Sequence, residues 1–253
     1  MNSLKSLLLI WKNKKNNMYY HVGTLSYDGD LYTFEYTHKS KSMRNVNLAI
    51  EQGYSLHPAF PYLEKVYEAS HLFEAFNRRI PGRSRVGYQH IVKEFGLTEA
   101  ADRMDILRAT RGVLANDPYT FEPPLRLDDS RLTGSFFVNG MRHLEKSKDI
   151  WMSHVSIGDS LKLELEPANK ADPYAIMVLA KDNLHIGYVP GIYNQALHAL
   201  LMRGVAVTLI AKQMRPAFVP QWWLEIEFEA RINQEDAASI EESVLFHVLQ
   251  RVA

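Results

Sequence analysis

The sequence predicts an α+β chain in two parts. A small β-meander with helices comes first. A run of short strands follows and forms a small closed or half-closed barrel, with one inserted helix and a C-terminal helix. Three observations carry this reading. Residues up to about 38 are aromatic, β-branched and alternating. Residues from about 45 to 125 place apolar side chains mostly at helical spacing. From Thr133 to Arg231 short strand patterns recur at close intervals around a single helical run. Hydrophobic residues make up 46% of the 253 and charged residues 23%, enough apolar surface for the core of one large or two small domains.

The first element is the apolar run Leu7 to Trp11, read as a buried strand. It is far shorter than the roughly 18 residues of a membrane span. The lysines that follow it, and the absence of a small-residue cleavage site, argue against a signal peptide. Lys12 to Asn17 is a polar loop tip. Tyr19 to Tyr27 is the second strand, Asp28-Gly29-Asp30 a tight turn, and Leu31 to Tyr36 the third strand. Leu63, Val66, Tyr67, Leu72, Phe73 and Phe76 predict a helix over Tyr62 to Phe76, broken by Pro81-Gly82. A second helix covers Val86 to Phe95 and stops at Gly96; a third opens at Thr98 and ends near Thr110. The Pro- and Asp-containing stretch 116–130 is a linker, so the first domain spans 1–125 and the barrel 132–230. The barrel strands are Gly134 to Asn139, Ser160 to Leu165, Ala175 to Leu179, His185 to Val189, Ala206 to Lys212 and Trp223 to Phe228. The inserted helix is Asn194 to Met202. A terminal amphipathic helix occupies 233–253, with Ile240, Val244, Leu245 and Val248 on one face.

Lys+Arg and Asp+Glu are both 29, so the net charge is zero and any nucleic-acid binding needs a local patch. There is no cysteine, which excludes disulfides, thiolate zinc sites and Cys nucleophiles and suits a reducing cytoplasm. The histidines include no His-x-His and no His-Glu-x-x-His, so no metal is expected. Glu225, Glu227 and Glu229 alternate with Leu224, Ile226 and Phe228 and read as a solvated strand face, not as an acid–base pair. Trp222-Trp223 is open to two readings, a stacking platform or core packing. Neither catalysis nor a cofactor is expected.

The informative stretch contains Gly140-x-Arg142-His143, then Glu166-Pro167-x-Asn169-x-x-Asp172-x-x-Ala175-Ile176, then Ile186-Gly187-Tyr188-Val189-Pro190. Read from chemistry alone, Asn169 and Asp172 are Asx-turn formers in a stiff loop, and Gly187 marks a close backbone approach. The three motifs, in this order from Leu132 to about Phe228, resemble the HIRAN domain. That resemblance implies a modified OB-like barrel, found fused to SNF2-type helicases or alone in bacterial proteins, which in a helicase-fused member grips the free 3′ end of single-stranded DNA. Carried over, it implies that Arg142 and His143 contact phosphate and base. Asn169, Lys170 and Asp172 would meet the terminal nucleotide, with Asp172 accepting from a 3′ hydroxyl, and Tyr188 would stack or contact phosphate. Leu144 stands where end-binding members carry a polar aromatic.

In the first half, Gly23-Thr24-Leu25-Ser26, Tyr32-x-Phe34-x-Tyr36 and Leu72-Phe73-x-x-Phe76-Asn77-Arg78-Arg79-Ile80-Pro81 resemble the N-terminal subdomain of HipA-type kinases. The kinase core is missing, so the resemblance implies a fold and a partner role without the activity. Arg78, Arg79, Arg83 and Arg85 surround the Pro81-Gly82 turn. They suit either a phosphate track or ion pairs with Glu64, Glu68, Glu74 and Glu94. The sequence thus predicts a non-enzymatic, cytoplasmic protein that binds single-stranded DNA or DNA 3′ ends. The two resemblances imply a setting in bacterial or phage DNA metabolism, defence or a toxin–antitoxin-like system, with a partner protein from such an operon. The alternative is a protein-interaction or regulatory module without direct nucleic-acid binding, whose barrel groove or C-terminal helix docks a partner protein and which would leave the Ile240, Val244 and Val248 face exposed.

Overall fold

The computed structural model describes residues 4–82, 84, 86–98, 100–144 and 148–252, the side chains of 86, 148 and 149 excepted. The chain divides into two compact units, Met1–Pro123 and Pro124–Ala253.

The first unit is built on an antiparallel sheet. Its elements are β1 (Lys5–Lys12), β2 (Tyr19–Tyr27), β3 (Tyr32–Tyr36), α1 (Val46–Glu51), β4 (Tyr67–Ala69), α2 (Glu74–Asn77), α3 (Val86–Glu94), α4 (Arg103–Thr110) and β5 (Tyr119–Glu122), with strand order β4-β3-β2-β1-β5. β1 lies inside the sheet, between β2 and β5, and buries Leu7 to Ile10 in an unbroken run, which is why its sequence does not alternate. Phe34, Phe60, Phe76 and Phe121 form a chain of rings with neighbouring centroids 4.4, 5.0 and 5.0 Å apart.

Two helix expectations fail here. Tyr62 to Phe76 is not one helix. Tyr67–Ala69 is drawn onto the edge of β3, where Tyr67 faces Phe34 and its hydroxyl holds the Tyr62 backbone, and only Glu74–Asn77 is helical. Val66 of the supposed apolar stripe is exposed. The third helix starts at Arg103, not Thr98, because Asp102 and Asp105 form a reciprocal capping box.

The second unit contains β6 (Leu125–Asp128), β7 (Arg131–Phe137), α5 (Lys148–His154), β8 (Ser160–Leu165), β9 (Ile176–Leu179), β10 (His185–Tyr188), α6 (Asn194–Met202), β11 (Val207–Met214), β12 (Leu224–Arg231), α7 (Gln234–Glu241) and β13 (Leu249–Arg251). Its strand order is β10-β9-β8-β11-β12-β7-β6-β13. The sheet curls until the chain beyond β7 meets β10: Asn139 and Tyr188 exchange backbone hydrogen bonds of 2.9 and 2.8 Å.

Here too the sequence expectation is corrected. The terminal helix stops at Glu241, and the residues beyond Glu242 extend to β13, which pairs in parallel with β6. Phe246 and Val248 are buried, at 4% and 3% exposure, while Val244 is 48% exposed; the expected helical face does not exist. Glu225 is not solvated either. It is buried with Arg215, whose guanidinium lies 3.3 Å from its carboxylate and 5.7 Å from the Phe137 ring centre. Removing one partner of such a buried pair would leave an uncompensated charge. Glu227 and Glu229 are nearer the surface and pair with Lys212 and Arg131. Among the described residues no helix is long and apolar enough to cross a membrane.

Candidate nucleic-acid interface

The site grows out of the point where the curled sheet meets itself. Gly140 follows the Asn139–Tyr188 bridge at φ +78 and starts a 3-10 turn over Met141–His143. A side chain at Gly140 would sit 3.3 Å from the Tyr188 ring, so glycine lets the ring lie against the backbone. Gly187 is tighter. At φ +152 an added Cβ would come within 2.4 Å of Val138 Cγ1 and 2.5 Å of the Asn139 carbonyl. The turn places Arg142 and His143 outward; both are exposed, and Arg142 Nε donates to His143 Nε2 at 2.9 Å.

Tyr188 ties this turn to the loop between β8 and β9. Its ring meets His185 edge-on at 4.7 Å, and the Glu166 carboxylate lies near its hydroxyl. Burial first, then that carboxylate, raises the Tyr188 pKa, so the phenol remains a donor. Glu166 Oε2 also accepts from Asn169 Nδ2 at 2.6 Å. Asn169 Oδ1 in turn accepts the backbone N–H groups of Ala171 and Asp172 at 2.9 and 3.1 Å. Asp172 accepts the Tyr174 N–H at 2.9 Å and the side-chain amide of Asn194, the first residue of α6. Asn169 and Asp172 therefore do the loop-building work of Asx turns, and both Asp172 oxygens are engaged, Oδ1 by Tyr174 and Oδ2 by Asn194. Lys170 is exposed on the loop.

Arg142, His143, Tyr188, Asn169, Lys170 and Asp172 thus belong to one connected surface of the second unit. Its cations, Arg142 and Lys170, suit phosphate oxygens. Its carboxylates, Glu166 and Asp172, accept from hydroxyl or amino groups. Two members were not singled out from sequence. Glu166 belongs to the loop motif, and its carboxylate holds Asn169 while lying near the Tyr188 hydroxyl. Asn194 had no local signal, because its partner Asp172 is 22 positions away.

The arginine cluster fares differently. Arg79 is buried; it donates to the Gly112 carbonyl at 2.9 Å, pairs with Asp117 at 2.7 Å and lies over the Tyr119 ring. It is a core strut and not a phosphate contact. Its partner is Asp117, not one of the glutamates suggested from sequence. Arg78 is exposed beyond α2, and Arg83 and Arg85 lie outside the described residues. Trp223 stacks at 6.1 Å on Trp151 and donates to the Phe218 carbonyl at 3.0 Å, so of the two readings it takes the packing one.

Comparison with known proteins addresses the second unit. The family model of the HIRAN domain matches residues 133–229. The match leaves the first unit, and its resemblance to HipA-type kinases, uncovered. A search of the curated proteins finds no match. Among solved structures, a protein from Lactobacillus plantarum is similar at 22% identity and a TM-score of 0.34, over 39% of this chain and 92% of that one. The crystal structure of the HIRAN domain of human HLTF is similar at 14% identity and a TM-score of 0.35, over 46% and 86%. A solution structure of the HLTF HIRAN domain in its DNA-bound conformation gives 16% identity and a TM-score of 0.30, over 46% and 85%. From Thr133 to Glu229, this chain carries a HIRAN domain.

Proposed function

We propose that the second unit binds nucleic acid, and specifically single-stranded DNA at a 3′ end, without turning it over. One observation carries the reading: Arg142 and His143, Tyr188, and the Glu166–Asp172 loop are joined around the Asn139–Tyr188 closure into one surface. Exposed cations beside a half-buried ring are the pairing a single strand requires, charges for the phosphates and a ring face for a base. The HIRAN match supports nucleic acid as the ligand class. Glu166 and Asp172 refine it, because carboxylates welcome a terminal hydroxyl and repel a terminal phosphate. Leu144 supplies no polar group of its own to that contact. The cytoplasmic setting, in bacterial or phage DNA metabolism, defence or a toxin–antitoxin-like system, belongs to the same proposal. Of the terminal-helix face on which the interaction-module alternative could dock a partner, Ile240 and Val248 are buried and Val244 is exposed.

Fluorescence anisotropy with labelled single strands tests this. Arg142→Ala should weaken binding and lower the slope of log K against log salt by about one unit, the share of one phosphate contact. Strands ending in a 3′ hydroxyl should bind more tightly than the same strands ending in a 3′ phosphate. An absence of single-strand binding at low salt would overturn the proposal.

A further inference from the structure

We propose that the first unit carries a phosphate-binding surface of its own, formed by Lys12, Lys14, Lys15, Lys39, Lys41 and Arg44 at one end of its sheet, whose ligand is the backbone of a nucleic-acid duplex. This surface belongs to the first unit alone and does not depend on the candidate site of the second. Lys12 ends β1, and Lys14 and Lys15 stand on the β1–β2 tip. β2 runs antiparallel to both β1 and β3, so the chain leaves β3 at the same end, just before Lys39, Lys41 and Arg44.

Hydrogen bonds lock the two stretches together. The His21 N–H donates to the Arg44 carbonyl at 2.8 Å, the Thr37 hydroxyl donates to the His21 carbonyl at 2.5 Å, and the Asn13 side-chain amide reaches the Gln52 carbonyl at 3.0 Å. Lys14, Lys15, Lys39 and Lys41 are exposed. The Lys12 ammonium and the Arg44 guanidinium lie over the Tyr19 and Tyr20 rings, 5.3 and 5.6 Å from the ring centres, which holds both cations at this end of the sheet.

Charge is segregated along the sheet. Asp28 and Asp30 sit on the β2–β3 turn at the opposite end, where Lys5 is held by Asp102 and Asp105 at 2.9 and 2.8 Å. None of the six cations has a carboxylate partner among the described residues, whereas Arg79, Lys181, Arg203 and Arg215 all do. Of the acids nearby, Asp117 is committed to Arg79 and Glu51 ends α1. Lys14 donates to the Asn116 carbonyl at 2.8 Å, which neutralises no charge, and a neutral chain that gathers these cations on a braced edge bears their mutual repulsion, which a polyanion relieves. The exposed amides of Asn16 and Asn17 add neutral donors for phosphate oxygens. Met18 and Met43 are exposed beside them, but two separate side chains offer little apolar area for membrane anchoring.

The test uses the full chain and a long hairpin-capped dumbbell duplex, which presents no 3′ end and no single strand beyond its short caps. Wild type should bind it at low salt. Lys14→Ala/Lys15→Ala/Lys39→Ala/Lys41→Ala should bind at least about tenfold more weakly, with the salt slope lowered by about three and a half units. Arg142→Ala, which weakens single-strand binding, should lower dumbbell binding far less than the four lysine substitutions do, which separates the two surfaces. Circular dichroism melting of the exposed-lysine variant should match wild type. Dumbbell binding unaffected by the four substitutions, no dumbbell binding by wild type, or capture by phosphatidylserine vesicles in place of the duplex would each overturn the proposal.

Discussion

Single positions already separate the roles that one residue type can play. Gly187 is fixed by backbone geometry. An alanine there would need φ near +152 and would drive its Cβ into Val138 and the Asn139 carbonyl. Gly187→Ala should therefore cost roughly 2–4 kcal/mol, read as a lowered urea midpoint of the second unit. His57 reports on acidity. Burial first, then Arg78 and Arg79, holds its imidazole below the usual range, and its Nδ1 accepts the Ala59 N–H at 3.1 Å, a bond that only the neutral ring can accept. In the unfolded chain the same ring titrates near pH 6.5. As pH falls below that value the unfolded state takes up the proton first, so stability falls until the folded ring is protonated too. Urea midpoints of the first unit should drop between about pH 7 and pH 5, and His57→Gln should flatten the drop. Arg79 and Arg142 show where reading by residue type fails. Both are arginines near a turn, but one is enclosed by Gly112, Asp117 and Tyr119 and the other is exposed, and only tertiary structure separates them.

The strands were legible wherever alternation was strong, as in Leu31 to Tyr36, and the inserted helix was legible from its flanking residues. Two elements were not. Apolar residues at 63, 66 and 67 fit a helix, but a free β3 edge competes for the segment and wins with the Tyr67 hydroxyl as an anchor. The terminal stretch has the same history. Residues 240, 244 and 248 share a helical face, but β6 lacks a partner on its outer side until Leu249–Arg251 supplies one. These alternatives give opposite mutational patterns. In a continuous helix Val244 would face the core with Ile240 and Val248, and Phe246 would point away. With the short strand, Phe246→Ala should cost roughly 3 kcal/mol and Val244→Ala under about 0.5 kcal/mol, measured by urea unfolding. The site loop was more legible than the edges, because Asn and Asp declare turns locally; the Asn194 brace stayed hidden because it arrives from a distant helix.

Taken as a whole, the chain puts different chemistry on its two units. One gathers cations at an end of its sheet; the other joins cations, carboxylates and a ring around a backbone closure. Net charge gave no hint of this, because the 29 basic and 29 acidic residues cancel only in the sum. The pairing of β6 with β13 has a further meaning for biosynthesis. β6 is the first strand of its unit to leave the ribosome, and its neighbour on that side is the last. During translation β6 must therefore wait with one row of backbone amides and carbonyls unmatched, an invitation to foreign strands that only the final emerging segment withdraws.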